Sequence, residues 1–236
     1  MAGRVATVFR GHGRHAVVLL SGGLDSTTAL YWALKRGYKA VALAFDYGQR
    51  HSRELLAARA IANRAKVPLH EVKLALPWLK TSSLVSKSLA LPDVPLAKIG
   101  LGRIPSTYVP GRNTMFVALG ISLADSIEAE AILIGANALD YSGYPDCRPD
   151  YYRALAKVAA LGTKRGAEGR PLRILTPLIK LDKKAIVKLA LRVGAPLDLT
   201  WSCYQGSSSP CERCDSCKLR AKGFKEAGEA DPALAA

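Results

Sequence analysis

Five short apolar runs alternate with helical stretches of about 10–15 residues, which predicts an α/β fold: a doubly wound, mainly parallel five-stranded sheet, with a small cysteine-rich subdomain at the C-terminus. Three observations carry this expectation. The apolar runs are continuous rather than alternating, as in strands covered on both faces. The helical segments between them supply the crossovers that parallel pairing requires. Four of the five cysteines crowd together at 203, 211, 214 and 217.

The elements follow in order. Residues 16–20 form a first strand ending in Ser21-Gly22-Gly23, and the helical pattern of 26–36 stops at Gly37. A second strand at 40–45 leads into Asp46-Tyr47-Gly48-Gln49, and a periodic segment over 52–66 ends before Pro68. Residues 69–74 make a third strand. From 77 to 110 the period is lost and prolines accumulate, so this segment reads as an excursion with some short helix rather than a domain boundary. A helix over 114–127, a strand at 131–135, a helix over 150–160 and a fifth strand at 172–175 follow, and Asp182 caps a helix reaching residue 192. The sheet domain then spans 1–197 and the cysteine-rich subdomain 198–236.

The 236 residues are 49% apolar and 22% charged, enough to bury a core and unlike a disordered chain. There is no internal repeat or low-complexity tract, which excludes solenoids and flexible tails. No apolar stretch approaches the roughly 20 residues of a membrane span, and 16–20 is too short for a signal peptide's apolar region, so a cytoplasmic location without membrane contact is the default expectation. The formal charge of +15 favours anionic partners such as nucleotides, nucleic acid or an acidic surface, without choosing among them. Basic residues are scattered in pairs such as Lys183 and Lys184, as on a solvated surface.

Ligands of parallel sheets bind at the carboxyl ends of the strands, and those ends carry the polar segments 21–26, 46–51 and 137–148. In Ser21-Gly22-Gly23-Leu24-Asp25-Ser26-Thr27-Thr28, between a strand and a helix, glycines expose backbone amides and the helix amino end carries partial positive charge. A bare Gly-Gly is also a common tight turn, but here serine hydroxyls flank it. The loop lacks the Gly-Lys pair of a Walker loop, so transfer of a terminal phosphoryl group is not its obvious chemistry. SGGLDST resembles the pyrophosphate loop (PP-loop) of the ATP pyrophosphatase group, which adenylates a carbonyl oxygen or carboxylate and releases pyrophosphate. The resemblance implies that Asp25 helps hold Mg2+ or the leaving pyrophosphate.

Cys203, Cys211, Cys214 and Cys217 can close a tetrahedral, four-thiolate zinc site of the structural type, and an iron–sulfur cluster uses similar spacing. Lys218, Arg220 and Lys222 either offset the thiolate charge or form an exposed face. Arg112, in Tyr108-Val109-Pro110-Gly111-Arg112-Asn113, can fork onto phosphate or carboxylate. The loop 140–148 mixes carboxylates, aromatic rings and an arginine, suited to stacking a planar base and reading its edge. Cys147 reads as a buried filler rather than a nucleophile, and His51 and His70 as polar or structural, with His51 the better candidate of the two.

The ordered set SGGLDSTTAL, FDYGQRH, VPGRNTMF, GANALDYSGYPDCRPDY, TPLIKLDK and TWSCYQGSSSPCERCDSCKLRAKGF covers nearly the whole chain and resembles the QueC family of 7-cyano-7-deazaguanine synthases. The resemblance implies an adenine nucleotide alpha hydrolase-like (HUP) domain and conversion of 7-carboxy-7-deazaguanine, ATP and ammonia to the nitrile, through adenylated carboxylate, amide and adenylated amide. It implies ATP on Leu20, Ser21, Gly22, Gly23, Leu24, Asp25, Ser26, Thr27, Thr28, Ala29, Leu30 and Asp46, with Asp25, Ser26 and Arg112 taking part in the chemistry. The deazaguanine is expected on Tyr47, Gln49, Asn113, Asp140, Tyr141, Tyr144, Asp146 and Arg148, and structural Zn2+ on the four clustered cysteines. A homodimer without direct nucleic-acid contact is expected by family analogy. A transfer RNA thiolase of the same loop type is the rival enzyme and would need a free cysteine to carry sulfur. A zinc-stabilised nucleic-acid-binding module without catalysis would leave the phosphate loop unexplained.

Overall fold

A computed structural model describes residues 13–101, 104–139 and 144–234 of the chain. Its strands are β1 (Arg14–Leu19), β2 (Tyr38–Asp46), β3 (Leu69–Lys73), β4 (Ala131–Ile134) and β5 (Arg173–Leu175), paired in the order β3-β2-β1-β4-β5. Every pair is parallel. The chain grows outward from β1 to β3 and then returns to the other side of β1 with β4. The crevice between β1 and β4 is therefore the switch point at which open parallel sheets bind ligands.

The continuous apolar strands divide their residues between two layers. Val17, Leu19, Val41, Leu43, Phe45, Ile132 and Ile134 meet α3 (Arg112–Ser126) and α4 (Pro149–Gly162) through Val117, Ala124, Tyr152 and Ala159. Ala16, Val18, Ala40, Ala42, Ala44 and Leu133 meet α1 (Leu24–Lys35) and α2 (Arg53–Ala65) through Leu30, Ala33, Leu55, Ala58, Ile61 and Ala62. The alanines of β2 leave room for α1 and α2 to approach the sheet closely. Burial on both faces explains why these strands lack the alternating pattern of a half-exposed sheet.

Helix boundaries shift from the sequence expectation where capping overrides apolar period. Helix α1 begins at Leu24, because the Gly23 carbonyl already accepts the Thr27 amide at 3.0 Å and the Thr27 hydroxyl at 2.7 Å. Helix α3 begins at Arg112, where the Asp146 carboxylate accepts the Asn113 amide at 3.1 Å and caps the helix from another loop. After the short α5 (Lys164–Ala167), α6 (Lys183–Val193) starts as expected, with Asp182 accepting the Ala185 amide at 2.8 Å. The excursion holds two 3-10 turns, Pro77–Thr81 and Leu96–Lys98, and Arg50 pins it by donating to the carbonyls of Ser83 at 3.0 Å and Leu89 at 2.8 Å.

The C-terminal segment contains α7 (Asp215–Ala227), an element absent from the sequence expectation. Its Phe224 joins Leu24, Leu178, Ile186, Val187, Ala190 and Leu197 in a third apolar cluster. The cysteine-rich segment is thereby packed on α6 and on the first residue of α1.

At the switch point, a Cβ on Gly135 would lie 2.7 Å from the Asp25 carbonyl carbon and the Ser26 amide nitrogen. Only backbone opposes it, so nothing can swing aside. Gly135→Ala is expected to lower unfolding free energy by about 1–3 kcal/mol in urea titration; an unchanged midpoint would show that β4 and α1 are not in this contact.

Candidate active site and metal centre

The carboxyl ends of β1, β2 and β4 open onto one cleft of about 270 Å3. The loop after β1 forms its floor. Ser26 Oγ lies 3.0 Å from Ser21 Oγ, accepts the Ser21 amide at 3.2 Å and reaches the Gly23 carbonyl at 3.2 Å, which ties the loop across its own neck. Gly22 has φ +86°, and a Cβ there would strike the Glu54 carbonyl oxygen at 2.3 Å. The loop thus rests directly on the first turn of α2 and requires glycine at that point. Of the residues expected on nucleotide, Ser21, Gly23, Leu24, Asp25 and Ser26 line the cleft with Leu20. Thr27, Thr28, Ala29 and Leu30 are buried inside α1, where the Thr28 hydroxyl bonds its own helix at the Leu24 carbonyl, 2.7 Å away.

Asp25 meets Lys183, the first residue of α6, whose Nζ lies 2.9 Å from both carboxylate oxygens. Lys183 is only 9% exposed. Its place in the sequence suggested solvated surface charge; the structure corrects this for Lys183, while Lys184 is exposed. A lysine at a helix amino end opposes the macrodipole, and Asp25 offsets that cost. The lysine stem passes over Gly223 of α7, where a Cβ would lie 2.4 Å from Lys183 Cγ.

The opposite wall is aromatic. Phe45 and Phe116 stack at 3.9 Å, with the Tyr47 ring set edge-on to Phe116 at 5.4 Å. Arg112 Nη1 donates to the Tyr47 hydroxyl at 3.3 Å and faces the same cleft. Glu54, on the first turn of α2, also lines it; burial pushes this carboxyl up to about 7 against the opposing pull of Arg112. Neither Glu54 nor Lys183 stood out in the sequence, although the TPLIKLDK motif contains the lysine.

The expected base-binding residues separate into groups. Tyr47, Gln49, Asn113 and Tyr144 line the cleft. The Gln49 amide accepts the Tyr47 N–H at 2.9 Å and donates to the Phe45 carbonyl at 3.2 Å, fixing the turn after β2. Asn113 donates to the Asp146 carbonyl at 3.0 Å and the Cys147 sulfur at 3.3 Å, while Tyr144 and Thr107 share a 2.6 Å hydroxyl bond. Asp146 is buried as the cap of α3, Asp46 accepts the Gly48 amide at 3.3 Å, and exposed Arg148 donates to the Pro145 carbonyl at 3.3 Å. Asp140 and Tyr141 lie outside the described residues. Burial raises the Cys147 thiol to about 12, leaving it protonated near neutral pH.

The sulfur atoms of Cys203, Cys211, Cys214 and Cys217 all lie within 4.8 Å of one another, and none is in a disulfide. Cys203 Sγ accepts backbone amides from Gln205 at 3.4 Å and Cys211 at 3.3 Å, and Cys211 Sγ accepts the Cys214 amide at 3.4 Å. Amides aimed at sulfur favour thiolates, and four thiolates form a closed, soft donor set able to hold a metal ion. The basic residues nearby have other tasks. Arg220 is buried, donating to both oxygens of Asp231 at 2.7 and 2.8 Å and to the Thr200 hydroxyl at 2.7 Å. Lys218 holds Asp93 at 2.5 Å, and exposed Lys222 lies 3.9 Å from Glu226. The centre is wired to the loop after β1: the Trp201 amide donates to the Gly22 carbonyl at 2.9 Å and its indole N–H to the Cys203 carbonyl at 2.8 Å.

Asp231→Ala would strand the Arg220 charge in a buried setting. A loss of roughly 3 kcal/mol in denaturant unfolding is expected, and a loss below about 1 kcal/mol would mean the pair behaves as an exposed one.

A family model described as "Queuosine biosynthesis protein QueC" matches residues 15–228. The 7-cyano-7-deazaguanine synthase of Thermosynechococcus vestitus is 52% identical over 219 residues, covering 92% of this chain and 94% of its own. The enzyme of that name from Acetivibrio thermocellus is 50% identical over 218 residues, covering 92% and 96%. The one from Saccharophagus degradans is 49% identical over 222 residues, covering 93% and 96%.

Proposed function

The chain belongs to the QueC family of queuosine biosynthesis proteins, and from that premise we propose that it is an ATP-dependent C–N ligase making 7-cyano-7-deazaguanine from 7-carboxy-7-deazaguanine and ammonia. A carboxylate is a poor electrophile and an amide oxygen a poor leaving group, so each oxygen is adenylated before it departs as AMP. The sequence is adenylated carboxylate, amide, adenylated amide and nitrile. The supporting observation is that the phosphate loop, the Asp25–Lys183 pair and Arg112 open onto one cleft with an aromatic wall.

In this reading the amides and hydroxyls of Ser21, Gly23 and Ser26 cradle the phosphates at the amino end of α1. Asp25 and Lys183 manage opposite charges. Asp25 would hold Mg2+, which would neutralise phosphate charge, and Lys183 can turn from the carboxylate to the departing pyrophosphate. Arg112 with the Tyr47 hydroxyl holds the substrate carboxylate, and Phe45, Phe116 and Tyr47 offer their faces and edges to the planar ring. The four cysteines hold Zn2+ as a structural ion, with binding energy serving as folding energy for residues 198–236. A cytoplasmic homodimer completes the proposal on family resemblance. Sulfur transfer is disfavoured because Cys147, the one cysteine outside the cluster, is buried and protonated.

Mass spectrometry of products from 7-carboxy-7-deazaguanine, ATP, Mg2+ and an ammonium salt tests this directly. Nitrile, AMP and pyrophosphate are expected; ADP, or no nitrile, would refute the proposal. Asp25→Ala should reduce turnover by roughly a thousandfold at a temperature where its circular dichroism spectrum remains native, with a lower unfolding midpoint because Lys183 loses its carboxylate, and near-normal turnover would remove Asp25 from the chemistry. Cys214→Ser should lose zinc by elemental analysis and weaken ATP binding through Trp201 and Gly22; full metal occupancy would overturn the four-cysteine assignment.

A further inference from the structure

Ammonium is the abundant form of the nitrogen substrate near neutral pH and has no lone pair with which to attack. A group in the cleft must take its proton. Asp25 is held by Lys183 at 2.9 Å and Asp146 is spent capping α3. Tyr144 and Thr107 occupy one another's hydroxyls. Two groups remain. His51 also lines the cleft, its Nδ1 buried and unpartnered among the described residues, but its ring lies against Gly206 and the backbone at Cys203 and Tyr204 in the cysteine-rich segment. Glu54 lines the cleft beside Arg112, and no hydrogen bond engages its carboxylate among the described residues.

Its position suits the task. The Glu54 backbone lies directly beneath Gly22, so its side chain springs from the turn on which the phosphate loop sits. Arg112 from α3 and Tyr47 after β2, the pair assigned above to the substrate carboxylate, act on its charge and line the same cleft. Glu54 therefore shares one cleft with both the phosphate loop and the groups that orient the acyl carbon. An anionic carboxylate in a cleft also attracts a small cation.

We propose that Glu54 is the general base of the first substitution, binding ammonium and removing its proton. The inference rests on the synthase reading given above. One N–H proton passes to the Glu54 carboxylate, and the freed lone pair forms the C–N bond at the acyl carbon. The bond from that carbon to the AMP oxygen breaks, and its electron pair leaves with AMP. A second N–H proton goes to water to give the neutral amide, and Glu54 returns its own proton to solvent. Burial sets this carboxyl at about 7, close to the working pH at which a general base is most effective. Arg112 lowers it, and Tyr47 is the other titratable group acting on it.

The test compares two nucleophiles in wild type and Glu54→Gln, with ATP–pyrophosphate exchange on 7-carboxy-7-deazaguanine as a parallel readout. Hydroxylamine is largely unprotonated at neutral pH and needs no base. The expected result is a loss of roughly a hundredfold in the ammonium-dependent rate, with exchange and hydroxamate formation retained. The wild-type ammonium rate should rise with pH through about 7, where Glu54 ionises, and this inflection should be absent in the variant. Equal losses with both nucleophiles, or no loss with ammonium, would overturn the base assignment. Glu54→Asp, which keeps the carboxylate on a shorter stem, should recover part of the ammonium rate and not exceed Glu54→Gln in hydroxamate formation. If wild type itself shows no exchange with 7-carboxy-7-deazaguanine, the synthase reading fails, and the base assignment falls with it.

Discussion

The ion pair between Asp25 and Lys183 joins residues 158 positions apart and holds the site together. Asp25 stands in the first turn of α1 and Lys183 at the amino end of α6, so each helix presents its positive pole to the same space. Two helix amino ends and a lysine facing one another would repel without a carboxylate between them. Gly223 permits the arrangement, since any larger residue of α7 would displace the lysine stem. Order in the C-terminal segment is thereby tied to the electrostatics of a loop near the start of the chain.

The cysteine centre acts on the same loop by a second route. Trp201 donates its amide to Gly22 and its indole N–H to the Cys203 carbonyl, so two hydrogen bonds separate the sulfur cluster from the phosphate loop. Gly22 is also pressed against α2 at Glu54. A loop built from glycines and serines has little packing of its own, and its shape comes from what surrounds it: α2 beneath, Trp201 to one side and Gly135 of the β4 end against Asp25. Holding the backbone amides in place before a ligand arrives avoids an ordering cost on binding.

Much of this was legible in the sequence, for identifiable reasons. Strands covered on both faces write themselves as unbroken apolar runs, and Gly37, Pro68 and Asp182 mark where helices stop or start. The loop at 21–26 and the four cysteines carry their chemistry in local spacing. What stayed hidden depends on distant partners. Lys183 looks like any surface lysine until α1 is placed beside α6, and Arg220 like a solvated charge until Asp231 folds back on it. Glu54 sits on an amphipathic helix where a carboxylate is ordinarily exposed. Helix α7 buries Leu219, Gly223 and Phe224 along a polar, cysteine-punctuated stretch, so its apolar period is faint. The side chains of Asp46 and Arg148, expected on nucleotide and deazaguanine respectively, bond within their own turns, which no local sequence spacing announces.

The central claim is that the loop after β1, gripped by Lys183 and Trp201, is where ATP is activated. A crystal structure with Mg2+ and a non-hydrolysable ATP analogue tests it most directly. The account predicts the phosphates against the amides of Ser21 to Ser26, with Lys183 moved from Asp25 to a phosphate oxygen. Nucleotide bound elsewhere, or bound there with the Asp25–Lys183 pair intact and no contact to either, would contradict it.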